Sequence, residues 1–371
     1  MQDHLLNQFN HYSAWPGVLF EQLDQSRRWQ GRLFDWLGWG PQETPFRVAL
    51  TERGLTLRAY EDSQTNGPVL LIVAAPLKHA HIWDLSPENS VVRRCVEGGL
   101  RVYLLQWQRP GQSERTLGLA DYTDRLILDC VDEIKAETGQ SQVFLTGHSL
   151  GGTLSALFAA LHPNRVRGLI LLGAPVHFGP EAGFLGVLAA LAPHASRLTA
   201  FTGNMPGSLI STAGVMAAPV TFGWARWLDW LSCLSDAEAR RTYLRVERWA
   251  CEETPIAQRL FEEVLEWLCR EDRFMRGTLQ LGDKRATPEQ VTAPLLSVID
   301  PRCRLTPTAA VLPFHEAVSS REVKLLRYEG DTGVSVQHVG MLVGQQAHRQ
   351  LWPEIIQWMH SQYAQNLEWQ S

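Results

Sequence analysis

The sequence has few cysteines, and they do not follow a metal-binding or disulfide pattern. The 371 residues include 6 cysteines, and no two of them form a C-x-x-C pair. Because they are scattered through apolar segments, we predict reduced, mostly buried thiols and therefore a cytoplasmic protein. No metal or cofactor is predicted. The cysteines are at positions 95, 130, 233, 251, 269 and 303.

Targeting, membrane and nucleic-acid signals are also missing. Residues 1–6 lack the basic and apolar regions of a secretion signal, so none is predicted. Apolar runs are too short to span a bilayer. The formal net charge is -5 and long basic runs are absent, which argues against a nucleic-acid partner. With 45% hydrophobic and 20% charged residues, the composition is that of a globular protein.

The most informative motif is G-x-S-x-G at residues 147–151. An apolar run at 143–146 precedes it, and the helix-forming segment 153–160 follows. A sharp strand-to-helix turn strains the backbone of the serine, and neighbouring glycines allow the turn to close. This context predicts that the Ser149 hydroxyl is a nucleophile and that the Leu150 N–H points at the substrate carbonyl.

From residue 46 the chain alternates strands and helices. A predicted hairpin at 46–60 is followed by strands apolar on both faces, near 68–75, 101–107, 143–146, 168–173, 295–299 and 322–328. Such strands indicate a mostly parallel central sheet with helices on both faces, in the order of an α/β-hydrolase fold. We predict an N-terminal helical segment over 1–45, the core over 46–177 and 293–371, and a mainly helical cap inserted over 178–292.

The predicted cap is rich in tryptophan. The chain has 14 tryptophans, and a large amphipathic ring suits an apolar substrate wall as well as a protein core. A cap inserted here would lie over the carboxyl ends of the strands, where open α/β sheets bind ligands. Trp224 and Trp227 are therefore candidate substrate-binding residues.

A serine hydroxyl needs a base to take its proton. In α/β-hydrolases the nucleophile comes first along the chain, then the acid, then the histidine base. His338 lies ten residues after Tyr328, which ends the last predicted strand, and before the last predicted helix. The catalytic base is expected in this loop between the last strand and the last helix, so His338 is the predicted base. The oxyanion hole needs a second backbone donor besides Leu150. Because Pro76 has no N–H, we predict Leu77.

The acid is less well defined by the sequence. The pattern Asp-x-[Ile/Val/Leu]-x-Pro would place it at position 303, where the chain has Cys303. A neutral thiol neither fixes the histidine tautomer well nor stabilises its charged form. Asp300, immediately after the strand, is the predicted acid. There are two alternatives: the acid is Asp331, or the site works as a Ser–His pair in which the group that orients the histidine is weakened.

Several stretches of this chain resemble the polyhydroxyalkanoate synthases and their synthase-like α/β-hydrolase relatives. They are 83–93 (WDLSPENSVVR), 106–110 (QWQRP), 147–153, 270–279 and 338–344. The resemblance covers roughly residues 45–360. It implies oxyanion donors at Leu77 and Leu150, a base at His338 and an acid position at Cys303. The synthase nucleophile is cysteine, whereas Ser149 stands here. The chain length resembles that of the short synthases, which work with a second subunit.

Serine in place of cysteine changes the expected chemistry. A thiolate exchanges acyl groups with coenzyme A thioesters at nearly constant free energy. Transfer of the acyl group from a thioester to serine lowers the free energy, and hydrolysis is then the ordinary outcome. We therefore predict a serine ester hydrolase, carboxylesterase- or lipase-like, acting on small-molecule or polymeric esters that include hydroxyalkanoates. The alternatives are a synthase-like acyltransferase using hydroxyacyl-CoA, as a homodimer or with a second subunit, and a non-catalytic protein that binds granules or a partner.

Overall fold

An eight-stranded sheet forms the centre of the molecule. The computed structural model describes residues 15–60, 67–179, 182–217 and 219–368. Numbered along the chain and given in sheet order, the strands are β1 (Arg47–Glu52), β2 (Leu55–Tyr60), β6 (Arg101–Trp107), β3 (Val69–Val73), β7 (Val143–His148), β8 (Val166–Leu172), β11 (Leu295–Ile299) and β12 (Val323–Arg327). The pairs β1–β2 and β2–β6 are antiparallel, and the others are parallel.

The burial of the central strands explains why their sequences are apolar without alternation. Every residue of β3, β7 and β11 is buried, because helices cover both faces of the parallel part of the sheet. The fold class predicted from these runs, an α/β-hydrolase sheet, is confirmed. Two small antiparallel pairs lie outside the main sheet: β4 (Asp84–Ser86) with β5 (Asn89–Ser90), and β9 (Leu279–Leu281) with β10 (Lys284–Ala286).

Thirteen α-helices are described, and they connect or flank the strands of the sheet. They are α1 (Trp15–Trp36), α2 (Val91–Glu97), α3 (Leu126–Thr138), α4 (Leu150–Leu161), α5 (Phe184–Leu191), α6 (Ala195–Thr202), α7 (Gly207–Ala217), α8 (Ala225–Cys233), α9 (Ala237–Ala250), α10 (Gln258–Glu263), α11 (Leu312–Ala317), α12 (Gln337–Val343) and α13 (Trp352–Glu368). Among the described helices, none combines the length and apolarity needed to cross a membrane.

The N-terminal helix α1 packs on the helices that follow β8. Asp24 is buried in α1 and accepts a hydrogen bond from the backbone N–H of Ser208 at 3.0 Å. Asp35 pairs with Arg248 of α9 at 2.7 Å. Residues 1–14, including the predicted helical positions Leu5, Leu6 and Phe9, lie outside the described residues. The predicted segment boundaries at 45, 177 and 292 stay a prediction.

The DLSPENS run forms the β4–β5 hairpin and holds distant parts of the chain together. Asp84 is fully buried and accepts hydrogen bonds from Thr44 N at 2.6 Å and Ser90 Oγ at 2.6 Å. The Asn89 side chain donates to the carbonyl of Val343, the last residue of α12, at 2.6 Å. This hairpin therefore supports the helix that carries His338.

One buried histidine makes the fold sensitive to acid. Burial and the neighbouring Arg94 lower the pKa of His348 from 6.5 to about 4. At pH values between about 4 and 6.5 the unfolded chain binds more protons than the folded chain. The stabilisation that is fully present above pH 6.5 is therefore lost as the pH falls. In His348→Leu, the loss of unfolding free energy between about pH 7 and about pH 5 is expected to shrink by about 2 kcal/mol. Thermal denaturation at both pH values checks this, and equal losses in the two proteins would contradict it.

Candidate active site

Ser149 lies in a strained turn between β7 and α4. Its backbone has φ 53° and ψ -129°, a conformation that costs energy and is often found at functional sites. The turn also requires glycine on either side. A Cβ added at Gly147 would lie 2.4 Å from the carbonyl carbon of Gly151, and one added at Gly151 would lie 2.3 Å from the oxygen of Val73. The spacing of the motif is therefore imposed by backbone contact.

The two predicted oxyanion donors belong to neighbouring elements. Leu150 is the first residue of α4, and the first N–H groups of a helix have no acceptor within it. The close approach of Gly151 to Val73 brings this helix start against the end of β3. Leu77 follows β3 beyond Pro76, so its loop begins beside the same helix start. The helix dipole there also favours developing negative charge.

The loop that carries Leu77 is held by the segment after α9. The Leu77 carbonyl accepts a hydrogen bond from Thr254 N at 3.1 Å. Lys78 forms an ion pair of 3.0 Å with Glu253, whose side chain is 1% exposed. Lys78 and Glu253 also form an antiparallel bridge. Neither residue carried a signal in the sequence, because their charges are typical of a solvated surface.

Replacing Lys78 tests this support. Lys78→Met keeps the aliphatic stem but leaves Glu253 without its lysine partner, although Arg27 still lies 3.3 Å away. Removing one partner of a buried pair costs about 3 kcal/mol. We expect a correspondingly lower melting temperature and, if Leu77 is an oxyanion donor as predicted, at least about a tenfold loss of kcat/KM, since the loop that carries Leu77 (the oxyanion loop below) is displaced.

The control for this variant is Lys324→Met, which breaks an exposed pair with Glu354. That change is expected to alter the free energy of unfolding by less than about 1 kcal/mol. If Lys78→Met behaves like the control in both stability and activity, the segment after α9 does not hold the loop that carries Leu77.

His338 lies in α12 close to the serine elbow and is buried. Ser149 N donates to the Leu172 carbonyl at 3.0 Å, and a Cβ on the next residue, Gly173, would lie 3.4 Å from His338 Cε1. Within the described part of the chain, no hydrogen bond joins the side chains of Ser149 and His338. Catalytic hydrogen bonds are often long without substrate and tighten in the complex.

The environment of His338 keeps its imidazole neutral. Burial first, and the nearby His148 second, lower the pKa of His338 well below 6.5. The two rings are 4.4 Å apart between centroids, and His148 Nε2 lies 2.8 Å from the His338 carbonyl oxygen. Burial lowers the pKa of His148 to about 4. A neutral His338 can accept a proton, as a general base must.

The side chain at the Nδ1 atom of His338 is Cys303. Its Sγ lies 3.5 Å from Nδ1 and is also 3.5 Å from Thr306 N, which donates to it. Burial raises the pKa of the Cys303 thiol, so the sulfur keeps its proton at neutral pH. If that S–H donates to Nδ1, the ring proton sits on Nε2 and His338 cannot accept the serine proton.

The structure does not bring the predicted acid Asp300 onto His338. Asp300 is 1% exposed, and its Oδ1 accepts hydrogen bonds from Arg302 N at 2.9 Å and Arg302 Nε at 3.2 Å. The turn after β11 folds back on this carboxylate, and the residue of this turn that lies at His338 Nδ1 is Cys303, at 3.5 Å. Asp331, the alternative acid, instead accepts from Tyr328 Oη at 2.8 Å and Gln346 N at 2.8 Å.

The candidate substrate walls Trp224 and Trp227 lie on the outside of the molecule. These residues are 64% and 57% exposed, and their rings stack with centroids 6.5 Å apart. Trp227 borders an open groove of about 360 Å³ with Phe34, Trp230 and Tyr243. Neither Ser149 nor His338 lines this groove. The apolar helix face that predicted a substrate wall is thus turned away from the nucleophile.

The cap also contacts the loop before His338, through a residue that the sequence did not indicate. Asp229 of α8 accepts hydrogen bonds from Gly333 N at 2.8 Å and Ser335 N at 2.7 Å. Ser335 has φ 60°, a conformation that few side chains tolerate. The carboxylate thus holds a strained loop, so the helical region between β8 and β11 contacts both the loop before His338 and the loop that carries Leu77.

Comparisons with known proteins agree with this fold. The family model of the alpha/beta hydrolase fold matches residues 68–214. A poly(3-hydroxyalkanoate) polymerase subunit PhaC of Haloferax mediterranei is 30% identical over 322 residues, which are 85% of this chain and 64% of that protein. The PhaC subunit of Allochromatium vinosum is 26% identical over 347 residues, 92% of this chain and 96% of that protein. The chain thus spans about two thirds of the length of the Haloferax relative and nearly all of the Allochromatium one.

Solved structures of lipases share the fold. A monoacylglycerol lipase of Paleococcus ferrophilus superposes with a TM-score of 0.53 at 16% identity, over 84% of this chain and 100% of that one. A monoglyceride lipase of Saccharomyces cerevisiae gives 0.54 at 13% identity, over 86% and 98%. The predicted resemblance is confirmed by the PhaC relatives. The chain thus has the α/β-hydrolase fold and is similar over most of its length to the PhaC polymerase subunits, with Ser149 at the turn between β7 and α4.

Proposed function

We propose that this protein is a serine ester hydrolase, with Ser149 as nucleophile, His338 as general base, and the N–H groups of Leu77 and Leu150 as oxyanion donors. The observation that carries the proposal is the positive φ of Ser149 at the strand–helix turn. That geometry lifts a hydroxyl above the sheet beside the start of α4. A buried, neutral histidine next to it supplies the base.

In the proposed reaction, Ser149 Oγ attacks the ester carbonyl carbon while its proton passes to His338 Nε2. The negative oxygen that forms accepts hydrogen bonds from Leu77 N and Leu150 N. The bond to the leaving oxygen then breaks, and His338 returns the proton to the alcohol. Water repeats these steps on the acyl-enzyme, which releases the acid and restores Ser149.

The residue at 149 favours hydrolysis over chain growth. An acyl group on serine is an oxyester, so its transfer to another alcohol gains almost no free energy, whereas water is present in large excess. The relatives are named polymerases, and for that reason acyl transfer from a hydroxyacyl-CoA is the second candidate. The site contains the same proton-transfer groups for both reactions.

A substrate panel distinguishes the candidates. The purified protein is incubated with p-nitrophenyl butyrate, with a short 3-hydroxybutyrate oligomer, and with 3-hydroxybutyryl-CoA, and the products are identified by mass. Free acid from the esters, lost in Ser149→Ala, is the expected result. Polymer from the thioester would favour the acyltransferase. Absence of turnover on all three would favour a non-catalytic protein that binds granules or a partner.

A further inference from the structure

Two histidines and a glutamate come together beside the oxyanion loop. His79 Nδ1 and His81 Nδ1 are 2.8 Å apart, and His81 Nδ1 lies 3.7 Å from Glu252 Oε2. The three candidate ligand atoms all lie within 4.8 Å of one another. We propose that this cluster binds a single Zn²⁺ ion or a similar first-row divalent ion, outside the catalytic site. Nothing in the hydrolysis described above uses these side chains.

The hydrogen bonding of the two rings leaves electron pairs available for a metal. A neutral imidazole has one N–H donor and one acceptor nitrogen. Because the two Nδ1 atoms face each other, at most one proton can be shared between them. His81 is 1% exposed, and its Nε2 has no hydrogen-bond partner. A metal ion between the Nδ1 atoms would use both electron pairs.

The charge state of the rings suits metal binding. Burial lowers the pKa of His79, and burial together with His79 lowers the pKa of His81 well below 6.5. Metal ions bind the neutral form of histidine, so little proton release is required at neutral pH. Gln106 Nε2 lies 3.2 Å from His79 Nε2, and the same amide, turned over, can offer its oxygen to the ring N–H when Nδ1 binds the ion. Such outer contacts orient metal-binding histidines.

The ligand types favour zinc over magnesium. Two imidazoles and one carboxylate form a set that binds first-row transition metals and leaves a position for water, whereas Mg²⁺ prefers oxygen ligands. Arg248 also binds Glu252 Oε2 and competes for it. The proposal therefore requires Arg248 to move to the other carboxylate oxygen of Glu252 when Oε2 binds the ion.

The position of the cluster connects metal binding to the active site. His79 follows Leu77 by two residues, and its carbonyl accepts a hydrogen bond from Trp249 Nε1 at 2.8 Å. Glu252 follows the end of α9. An ion bound here would join the oxyanion loop to the cap segment, parallel to the Lys78–Glu253 pair. Zinc should therefore raise the melting temperature as well as bind.

The test is a Zn²⁺ titration of the full chain after treatment with a chelator. Calorimetry is expected to show about one equivalent bound, weakened at least about tenfold in Glu252→Gln and in His79→Gln. Glu252 is partly exposed, so its variant should fold even if a change at His79 does not. Co²⁺ in place of zinc should give the visible spectrum of a four-coordinate site, which loose surface binding does not produce.

The matched control is His194→Gln, since His194 is an exposed histidine with a carboxylate, Glu266, at 3.6 Å. This variant should bind zinc like the wild type. Zinc affinity that is equal in wild type, Glu252→Gln and His79→Gln would overturn the proposal, as would a melting temperature that zinc does not change. Mg²⁺ is expected to change neither signal.

Discussion

Ser149→Ala is expected to lower kcat/KM for ester hydrolysis by about a thousandfold or more while leaving the fold intact. The variant removes the atom that forms the acyl-enzyme, and His338 then has no nucleophile to activate. Alanine at φ 53° is about as strained as serine. The melting temperature should therefore change little. Initial rates with p-nitrophenyl butyrate, together with circular dichroism, check both statements.

The control for this variant is Ser155→Ala in the same helix. Ser155 is fully buried and donates to the Gly151 carbonyl at 2.8 Å, so its loss should lower stability but leave the nucleophile in place. A serine-directed phosphonate should label wild type and Ser155→Ala but not Ser149→Ala. If Ser149→Ala keeps more than about a tenth of the activity, another nucleophile is present, and Cys303 beside His338 becomes the candidate.

The sheet was predictable from the sequence because its strands are apolar on both faces. A run such as 69–73 has no polar face, and only a parallel strand covered by helices buries all five of its side chains. The elbow was predictable for a similar reason, since Gly147 and Gly151 contact backbone atoms that exclude any Cβ. In both cases the signal lies within a short stretch of sequence, although the contacts that require it come partly from other elements.

The remaining features depend on how the chain folds back, either over a short turn or between distant segments. The hydrogen bonds of Asp300 were unpredictable because they depend on how the turn at 301–302 folds back. Trp224 immediately precedes α8 and Trp227 lies in it, and the rotation of this helix is set by packing against its neighbours, which a periodic pattern does not specify. The support of Leu77 and Ser335 by the cap comes from backbone and carboxylate contacts more than a hundred residues apart.

Cys303→Asp is expected to raise kcat for ester hydrolysis by about tenfold to a hundredfold. A carboxylate accepts the Nδ1–H of His338 and cannot donate to it, which leaves Nε2 free to take the serine proton. It also stabilises the charged imidazole that forms in the transition state. In related triads, loss of the correct tautomer costs about ten-thousandfold. The smaller gain expected here allows for imperfect placement of the new carboxylate.

The pH dependence separates this explanation from a general improvement in packing. In the wild type, activity should persist well below pH 6.5 because the pKa of His338 is lowered by burial. A carboxylate at 303 favours the protonated ring and raises that pKa. The acidic limb of kcat/KM should therefore move to higher pH in Cys303→Asp, and the gain should shrink as the pH falls.

Two further variants make the prediction decisive. Cys303→Ser is nearly the same size but neutral, and it should show neither the gain nor the shifted limb. Asp300 raises the pKa of the Cys303 thiol, so its charge also opposes a carboxylate at that position. The double variant Asp300→Asn with Cys303→Asp should therefore exceed Cys303→Asp alone. If Cys303→Asp matches Cys303→Ser in rate and pH profile, the group on Nδ1 does not limit catalysis, and the serine–histidine pair works without an acid.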